Sequence, residues 1–227
     1  MPRPDPPAVD QRPRMSRALV LALVLLTLVG VAGAYLSLTR EEPASSSAAG
    51  GFRGSALPAQ LTDRAAPPIR LPDGDGRLVD TRALAGTPYA VTFLYTQCPD
   101  VCPLIGQQLK QGLEQLGDEA RDVMVLIVSV DPRGDTAEAV RTWMRRQRMP
   151  SNVRYLIGSL DELRPVWESW YASPQDVTRP ETSTHSAAVW LVDADGRRRT
   201  KLDAGRGIRP EDFAHDMRLV RREPGAG

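Results

Sequence analysis

The sequence predicts an α/β domain in which helices cover both faces of a central mixed β-sheet. Three observations predict it: strand-like and helix-like segments alternate, residues 89–95 and 123–130 are almost continuously apolar, and an Ala194-Asp195-Gly196 turn joins two later strands. Strands without a polar face are typical of a sheet buried between two layers. The order of the segments is therefore that of an α/β sandwich.

The composition excludes several classes of protein. The 227 residues carry 29 Lys and Arg against 28 Asp and Glu, a net charge of +1, so no cationic surplus favours nucleic acid. Two cysteines are too few for a multi-disulfide scaffold or a four-thiolate zinc or iron–sulfur site. Nothing indicates an obligate oligomer, and we expect a monomer.

An uncharged apolar run at residues 18–36 lies near the N-terminus. As a helix it would extend about 28 Å, close to the thickness of a bilayer's hydrocarbon core. We predict a transmembrane anchor at 18–38 behind a cytoplasmic segment at 1–17, whose arginine excess sets the orientation. The alternative is a cleaved signal peptide, since Ala32-Gly33-Ala34 is similar to a cleavage site. Both interpretations export the remaining chain.

The exported part divides by composition into three segments. Residues 39–59 are rich in Ser, Ala and Gly, which predicts a flexible linker. Residues 60–220 form the folded domain, and residues 221–227 a disordered tail. The domain opens with a hairpin, because the strand-like residues 69–71 and 78–79 flank a Pro-Asp-Gly-Asp-Gly turn.

The remaining elements follow in order. After the strand at 89–95, Pro103 suits the first turn of a helix over 103–116. After the strand at 123–130, Asp135 is expected to cap a helix over 136–147. A short strand comes next, and Ser159 with Glu162 forms a capping box for a helix to about residue 171. The last segments are a strand at 187–193, its hairpin partner at 198–202 and a helix over 210–219.

Both cysteines lie in one hexapeptide, Cys98-Pro99-Asp100-Val101-Cys102-Pro103, directly after the strand at 89–95. A helix N-terminus favours the thiolate, which is both a nucleophile and a metal ligand. Three interpretations stay open: inert buried cysteines, a redox pair and a metal site. Redox pairs usually have C-x-x-C spacing, and two thiolates suit Cu(I) better than structural zinc. The pattern therefore favours a metal site.

A third ligand would come from one of two histidines. His185 directly precedes the strand at 187–193, at a sheet edge where loops from other strands converge. His215 lies between Asp212 and Asp216 on the last predicted helix and is more typical of a solvated helix residue. His185 is the favoured ligand.

These motifs resemble those of the Sco (SenC) family of copper proteins. The resemblance rests on residues 93–103 (FLYTQCPDVCP), on Ser129-Val130-Asp131-Pro132 with Asp135-Thr136, and on His185-Ser186 with the turn at 193–196. It covers about residues 66–205 together with the N-terminal anchor. Two positions depart from the family: Thr184 stands where an Asp often precedes the histidine, and Ala137 stands in place of a Pro.

The resemblance implies a thioredoxin-like fold on the periplasmic or extracytoplasmic side of a bacterial inner membrane. It implies one copper ion, bound as Cu(I) by Cys98, Cys102 and His185, with Cu(II) left open. The resemblance implies a metallochaperone, which is not an enzyme and which delivers this copper to the CuA domain of cytochrome c oxidase subunit II. A second partner would be another periplasmic copper chaperone or a thioredoxin-like reductase. The alternative is a thiol–disulfide reductase that uses Cys98 and Cys102 as a redox-active disulfide; a peroxidase ranks last.

Overall fold

The computed structural model describes residues 25–28, 30, 51–173, 188–204 and 207–222. In the first of two units, Met1–Ser45, residues 25–28 and 30 are helical. Among the residues described, no helix combines the length and hydropathy needed to cross a membrane. Most of the expected anchor at 18–38 lies outside the described ranges, so the anchor stays a prediction.

The second unit, Ser46–Gly227, carries the predicted strands and helices over its described residues. The strands are β1 Arg70–Pro72, β2 Leu78–Asp80, β3 Tyr89–Leu94, β4 Met124–Ser129, β5 Val153–Leu156, β6 Ala188–Val192 and β7 Arg198–Asp203. The helices are α1 Ala59–Thr62, α2 Val101–Leu116, α3 Ala137–Gln147, α4 Leu160–Ser169 and α5 Pro210–Arg222. Two 3-10 turns lie at Thr81–Leu84 and Gly117–Asp122.

Strands β3 to β7 form one mixed sheet in the order β5-β4-β3-β6-β7, and β1 pairs with β2 as the expected hairpin. Strands β3, β4 and β5 run parallel, whereas β6 runs antiparallel to β3 and β7 antiparallel to β6. All six residues of β3 are buried, as its continuous apolar run predicts. The mixed sheet expected from the sequence is confirmed.

The core consists of two layers, one on each face of the sheet. Helices α2, α3 and α5 cover one face, for example through Leu109, Trp143 and Phe213. Helix α4 and the β1–β2 hairpin cover the other, for example through Leu163 and Leu71. Burial of these side chains on both faces is the main stabilising contribution and confirms the predicted sandwich.

The caps of two helices show how far local signals hold. The capping box of α4 is present: Ser159 Oγ accepts from the Glu162 N–H at 3.4 Å, and Glu162 Oε2 accepts from the Ser159 N–H at 2.8 Å. At α3 the expected cap is wrong, because Thr136 caps the helix and accepts from the Ala139 N–H at 3.2 Å. The Asp135 carboxylate is directed to Thr96 instead.

The packed unit begins and ends at other residues than expected. Phe52, placed in the linker at 39–59, is buried, and the N–H groups of Arg53 and Gly54 each donate to the Asp216 carboxylate at 2.8 Å. Since these bonds pair two backbone donors with a buried acceptor, residues 52–55 belong to the domain. Helix α5 extends to Arg222, into the expected tail.

Candidate metal centre

The two cysteines lie where β3 ends and α2 begins. Cys98 is in the connecting loop with 7% of its surface exposed, and Cys102 is in the first turn of α2 with 0% exposed. Neither cysteine forms a disulfide. Helix α2 begins at Val101, two residues before the predicted start, and Pro103 fits its first turn because N–H groups there have no partner within the helix.

A sulfur atom accepts one of the free donors at the start of α2. Asp100 is the N-cap residue, but its side chain makes no capping hydrogen bond. Instead the N–H of Cys102 donates to Cys98 Sγ at 3.4 Å. The Cys98 sulfur therefore lies at the N-terminal end of α2, where the helix dipole is positive, and it accepts one of the N–H groups that have no partner within the helix.

The buried surroundings of the two cysteines disfavour a negative charge on the neighbouring thiol and hydroxyl groups. Its hydrogen bond with Cys98, followed by burial, raises the pKa of the Cys102 thiol far above the ordinary range. Burial, followed by the nearby Cys98, raises the pKa of Tyr95 to about 12. In the metal-free state Cys102 is therefore protonated at neutral pH, and a bound cation would displace that proton.

A buried carboxylate holds the loop in front of Cys98. Asp135 accepts from the Thr96 N–H at 2.8 Å, from Ser129 Oγ at 2.6 Å and from Tyr155 Oη at 3.0 Å. Only 4% of its surface is exposed, and burial raises the pKa of this carboxyl above its usual value. The network joins β4, β5 and the cysteine loop, so it fixes where Cys98 lies relative to the sheet.

The loop after β4 closes on a second carboxylate. Asp131 Oδ1 accepts from the N–H groups of Arg133 and Gly134 at 3.1 and 2.9 Å. A Cβ on Gly134 would lie 2.2 Å from Asp131 Oδ2, so only glycine fits there. Sequence reasoning missed both carboxylates as supports of the site, although the 129–136 motif that contains them was the available signal.

The third expected ligand, His185, lies outside the described residues. The start of the strand after it is described: the register that pairs Val91 with Trp190 and Tyr89 with Val192 puts the first residue of β6 beside the end of β3. The chain thus enters β6 at the sheet edge where it leaves β3 toward Cys98. Among the described residues, no group of three or more His, Cys, Asp or Glu side chains could hold a metal ion.

The other histidine has a structural partner. His215 Nδ1 lies 3.0 Å from Asp216 Oδ1, the carboxylate that also accepts from the N-terminal segment of the domain. His215 lies on α5, as the sequence predicts for a helix residue. The structure therefore brings together the two predicted thiol ligands, and the two carboxylate-centred loops hold them from the β4 side.

Comparisons with known proteins identify the family of this architecture. The SCO1/SenC family model matches residues 58–220. A putative copper-binding protein of Stutzerimonas stutzeri is 27% identical over 146 residues, which cover 63% of this chain and 71% of that protein. The mitochondrial protein SCO2 homolog of Bos taurus is 29% identical over 194 residues, covering 80% of this chain and 66% of its own.

Solved structures agree with the sequence matches. Bradyrhizobium japonicum ScoI with copper bound is 27% identical and superposes with a TM-score of 0.57, over 69% of this chain and 99% of ScoI. BsSco, described with a disulfide switch as a member of the Sco family of cytochrome c oxidase assembly proteins, superposes with a TM-score of 0.62 at 21% identity, over 70% and 95% of the two chains. These similarities confirm the thioredoxin-like α/β fold. The Stutzerimonas protein and ScoI are each described with copper, the metal that the sequence of this chain predicts.

Proposed function

This chain belongs to the SCO1/SenC family, and we propose that it is a membrane-anchored copper metallochaperone that delivers copper to the CuA centre of cytochrome c oxidase subunit II. The family's proteins bind copper and are linked to cytochrome c oxidase assembly. The observation that carries the proposal is the pair of buried, reduced cysteines at the start of α2, which the Cys102 N–H to Cys98 Sγ contact brings together. The predicted anchor at 18–38 would hold the domain at the extracytoplasmic face of the membrane.

The donor set suits the cuprous ion. Cu(I) is soft, accepts two or three ligands and prefers thiolate sulfur. Binding at Cys98 and Cys102 exchanges the proton of Cys102 for the metal, so the affinity should rise with pH. The adjacency of β3 and the start of β6 supports His185, three residues before Ala188, as the third ligand. A nitrogen ligand is the weakest of the three for Cu(I) and would leave first.

Delivery would proceed by ligand exchange. Cys98 retains some exposed surface whereas Cys102 has none, so a client thiolate reaches the metal from the Cys98 side. Each step replaces one sulfur or nitrogen ligand by one client sulfur, and the ion is never released to water. The Asp135 and Asp131 loops keep the two protein sulfurs in place while this happens.

A second candidate function rests on the same thiols. A thiol–disulfide reductase would use Cys98 and Cys102 to keep the cysteines of the CuA site reduced, passing two electrons and two protons to the client as its own disulfide forms. The Cys102 N–H donates to Cys98 Sγ at 3.4 Å, and this contact supports the second candidate because it holds the Cys98 sulfur against the residue with which it would form the disulfide. This activity does not need His185.

The deciding experiment is an anaerobic Cu(I) titration of the reduced full-length chain in detergent micelles against a competing chelator. We expect one-to-one binding that weakens by about tenfold or more in His185→Ala, since removing a group that acts on the metal costs that much. His215→Ala is the matched control and should bind as the parent does. Binding indifferent to His185 removes that ligand, and absence of tight binding leaves the reductase as the better assignment.

A further inference from the structure

A cleft of about 540 Å³ borders Cys98. The loop after β3, with Pro103, forms one wall, and one face of α3 forms the other. Ala139, Trp143 and Arg146 lie on that face at the helical spacing of four and three residues. Cys98 lines the cleft, whereas Cys102 is fully buried and is not part of its lining. A molecule that occupies the cleft therefore meets Cys98 first.

Two side chains on the α3 wall have hydrogen-bond capacity that the described residues do not use. Trp143 is 5% exposed, and its buried indole N–H has no hydrogen-bond partner among the described residues. Buried N–H groups are almost always paired, so an orphan beside a cleft points to an acceptor supplied by a ligand. The guanidinium of Arg146 is exposed and pairs with no carboxylate in the described part of the chain.

Charge gives the cleft a direction. Glu138 lies toward one end of the α3 wall and Arg146 toward the other, about 12 Å apart along the helix axis at 1.5 Å per residue. The neighbouring Gln147 is already engaged, because its Oε1 accepts from Gln107 Nε2 at 2.5 Å. The Arg146 end of the cleft therefore attracts an acidic group of an occupant and repels a basic one.

We propose that this cleft is the docking groove for an extended, acidic segment of a thiol-bearing partner protein. The segment sets a cysteine against Cys98, a backbone carbonyl on the Trp143 N–H and a carboxylate on Arg146. Helix α3 has 11 residues and is about 16 Å long, so about five extended residues span it. The inference rests on the proposed function, because the metallochaperone and the thiol–disulfide reductase would each bring a partner thiol to Cys98.

A disulfide probe reports docking on the reduced protein. The probe is a blocked pentapeptide with cysteine at one end and aspartate at the other, made in both chain directions, its sulfur joined to thionitrobenzoate. The Cys98 thiolate attacks the peptide sulfur, the peptide–thionitrobenzoate bond breaks, and the coloured aryl thiolate leaves with the electron pair. Two reference probes carry the same thionitrobenzoate group. One is the peptide with asparagine in place of aspartate, and the other, the small probe, is N-acetylcysteine amide joined to thionitrobenzoate.

On the full-length chain in micelles we expect one direction of the aspartate peptide to react about tenfold faster than the small probe, and about threefold faster than the asparagine peptide. Arg146→Gln should abolish the threefold preference. Arg145→Gln, the same change on the same helix outside the cleft, should keep it. Trp143→Phe should slow both peptides about threefold or more and leave the small probe unchanged.

Equal rates for all probes on the parent chain would overturn the groove, as would a preference that survives Arg146→Gln. The Cu(I) titration on the same preparation separates this failure from that of the proposed function. A chain that binds Cu(I) but treats all probes alike keeps the function and loses the groove. A chain with the peptide preference and no tight Cu(I) binding keeps the groove and loses the metallochaperone.

Discussion

The Asp135→Ala substitution tests whether the buried carboxylate supports the cysteine loop. It removes the acceptor of three hydrogen bonds, from Thr96, Ser129 and Tyr155. The two hydroxyl groups can rotate toward other acceptors and lose about 1 kcal/mol each, whereas the fixed Thr96 N–H stays unpaired at about 1–3 kcal/mol. Relief from burying a carboxylate offsets part of this sum. We expect a loss of about 3 kcal/mol in the free energy of unfolding.

Urea denaturation followed by the fluorescence of the four tryptophans measures this loss. Asp135→Asn keeps an amide oxygen for Thr96 and should cost about 1 kcal/mol. The control is Asp118→Ala, which removes an ion pair with Arg121 whose two side chains are 88% and 81% exposed. Such a pair contributes less than about 0.5 kcal/mol. Asp135→Ala should also speed the alkylation of Cys98, because its loop is released.

The pH dependence has a definite sign. Burial raises the pKa of Asp135, so the folded chain holds this proton more tightly than the unfolded chain. The associated stability is present below the unfolded value of 3.8 and is lost as pH rises through the folded pKa. The advantage of the parent over Asp135→Asn should therefore grow on acidification.

An Asp135→Ala variant whose free energy of unfolding lies within about 0.5 kcal/mol of the parent's would refute the role of Asp135 in supporting the cysteine loop.

Two further substitutions test the packing of the sheet and of α2. Gly106→Ala should destabilise the protein by about 1–2 kcal/mol in thermal unfolding, because the new Cβ would lie 2.7 Å from Met149 Cε and 2.8 Å from Trp143 Cη2. A smaller loss in a Met149→Ala background would assign the cost to the contact with Met149. An unchanged stability of Gly106→Ala would contradict the expected clash. Burial raises the pKa of Tyr89 from 10.0 to about 12, so the folded chain holds this proton more tightly than the unfolded chain. The stability that this proton contributes is fully present below pH 10, and about 2 kcal/mol of it is lost as the pH rises to 12. Tyr89→Phe should flatten part of that alkaline loss, and an unchanged profile would show that another group causes it.

The sequence was sufficient where the signal was local. Continuous apolar runs predicted β3 and β4, and the spacing of Ser159 and Glu162 predicted the start of α4. The hexapeptide predicted that the two cysteines lie at the head of a helix. These features depend on neighbours within a few residues, so pattern and propensity determine them.

The expectations that differed depend on distant partners. Asp135 was expected to cap α3, but its acceptor oxygens pair with Thr96, 39 positions earlier. The Ser- and Gly-rich composition around residue 54 predicted a linker, and the buried acceptor that orders Gly54 lies 162 positions later, on α5. No local pattern contains such a partner, because the fold alone brings it near. The role of His185 stays a prediction.

The attachment of residues 52–55 to α5 also shortens the segment that can act as a flexible connection in front of the domain. With a predicted anchor ending at residue 38, the connecting chain shrinks from the expected 39–59 to 39–51. Eight fewer residues remove up to about 28 Å of maximal extension and leave at most about 45 Å. Under the proposed function, a shorter connection would confine the two thiols to a smaller volume and would raise their effective concentration toward a client in the same membrane.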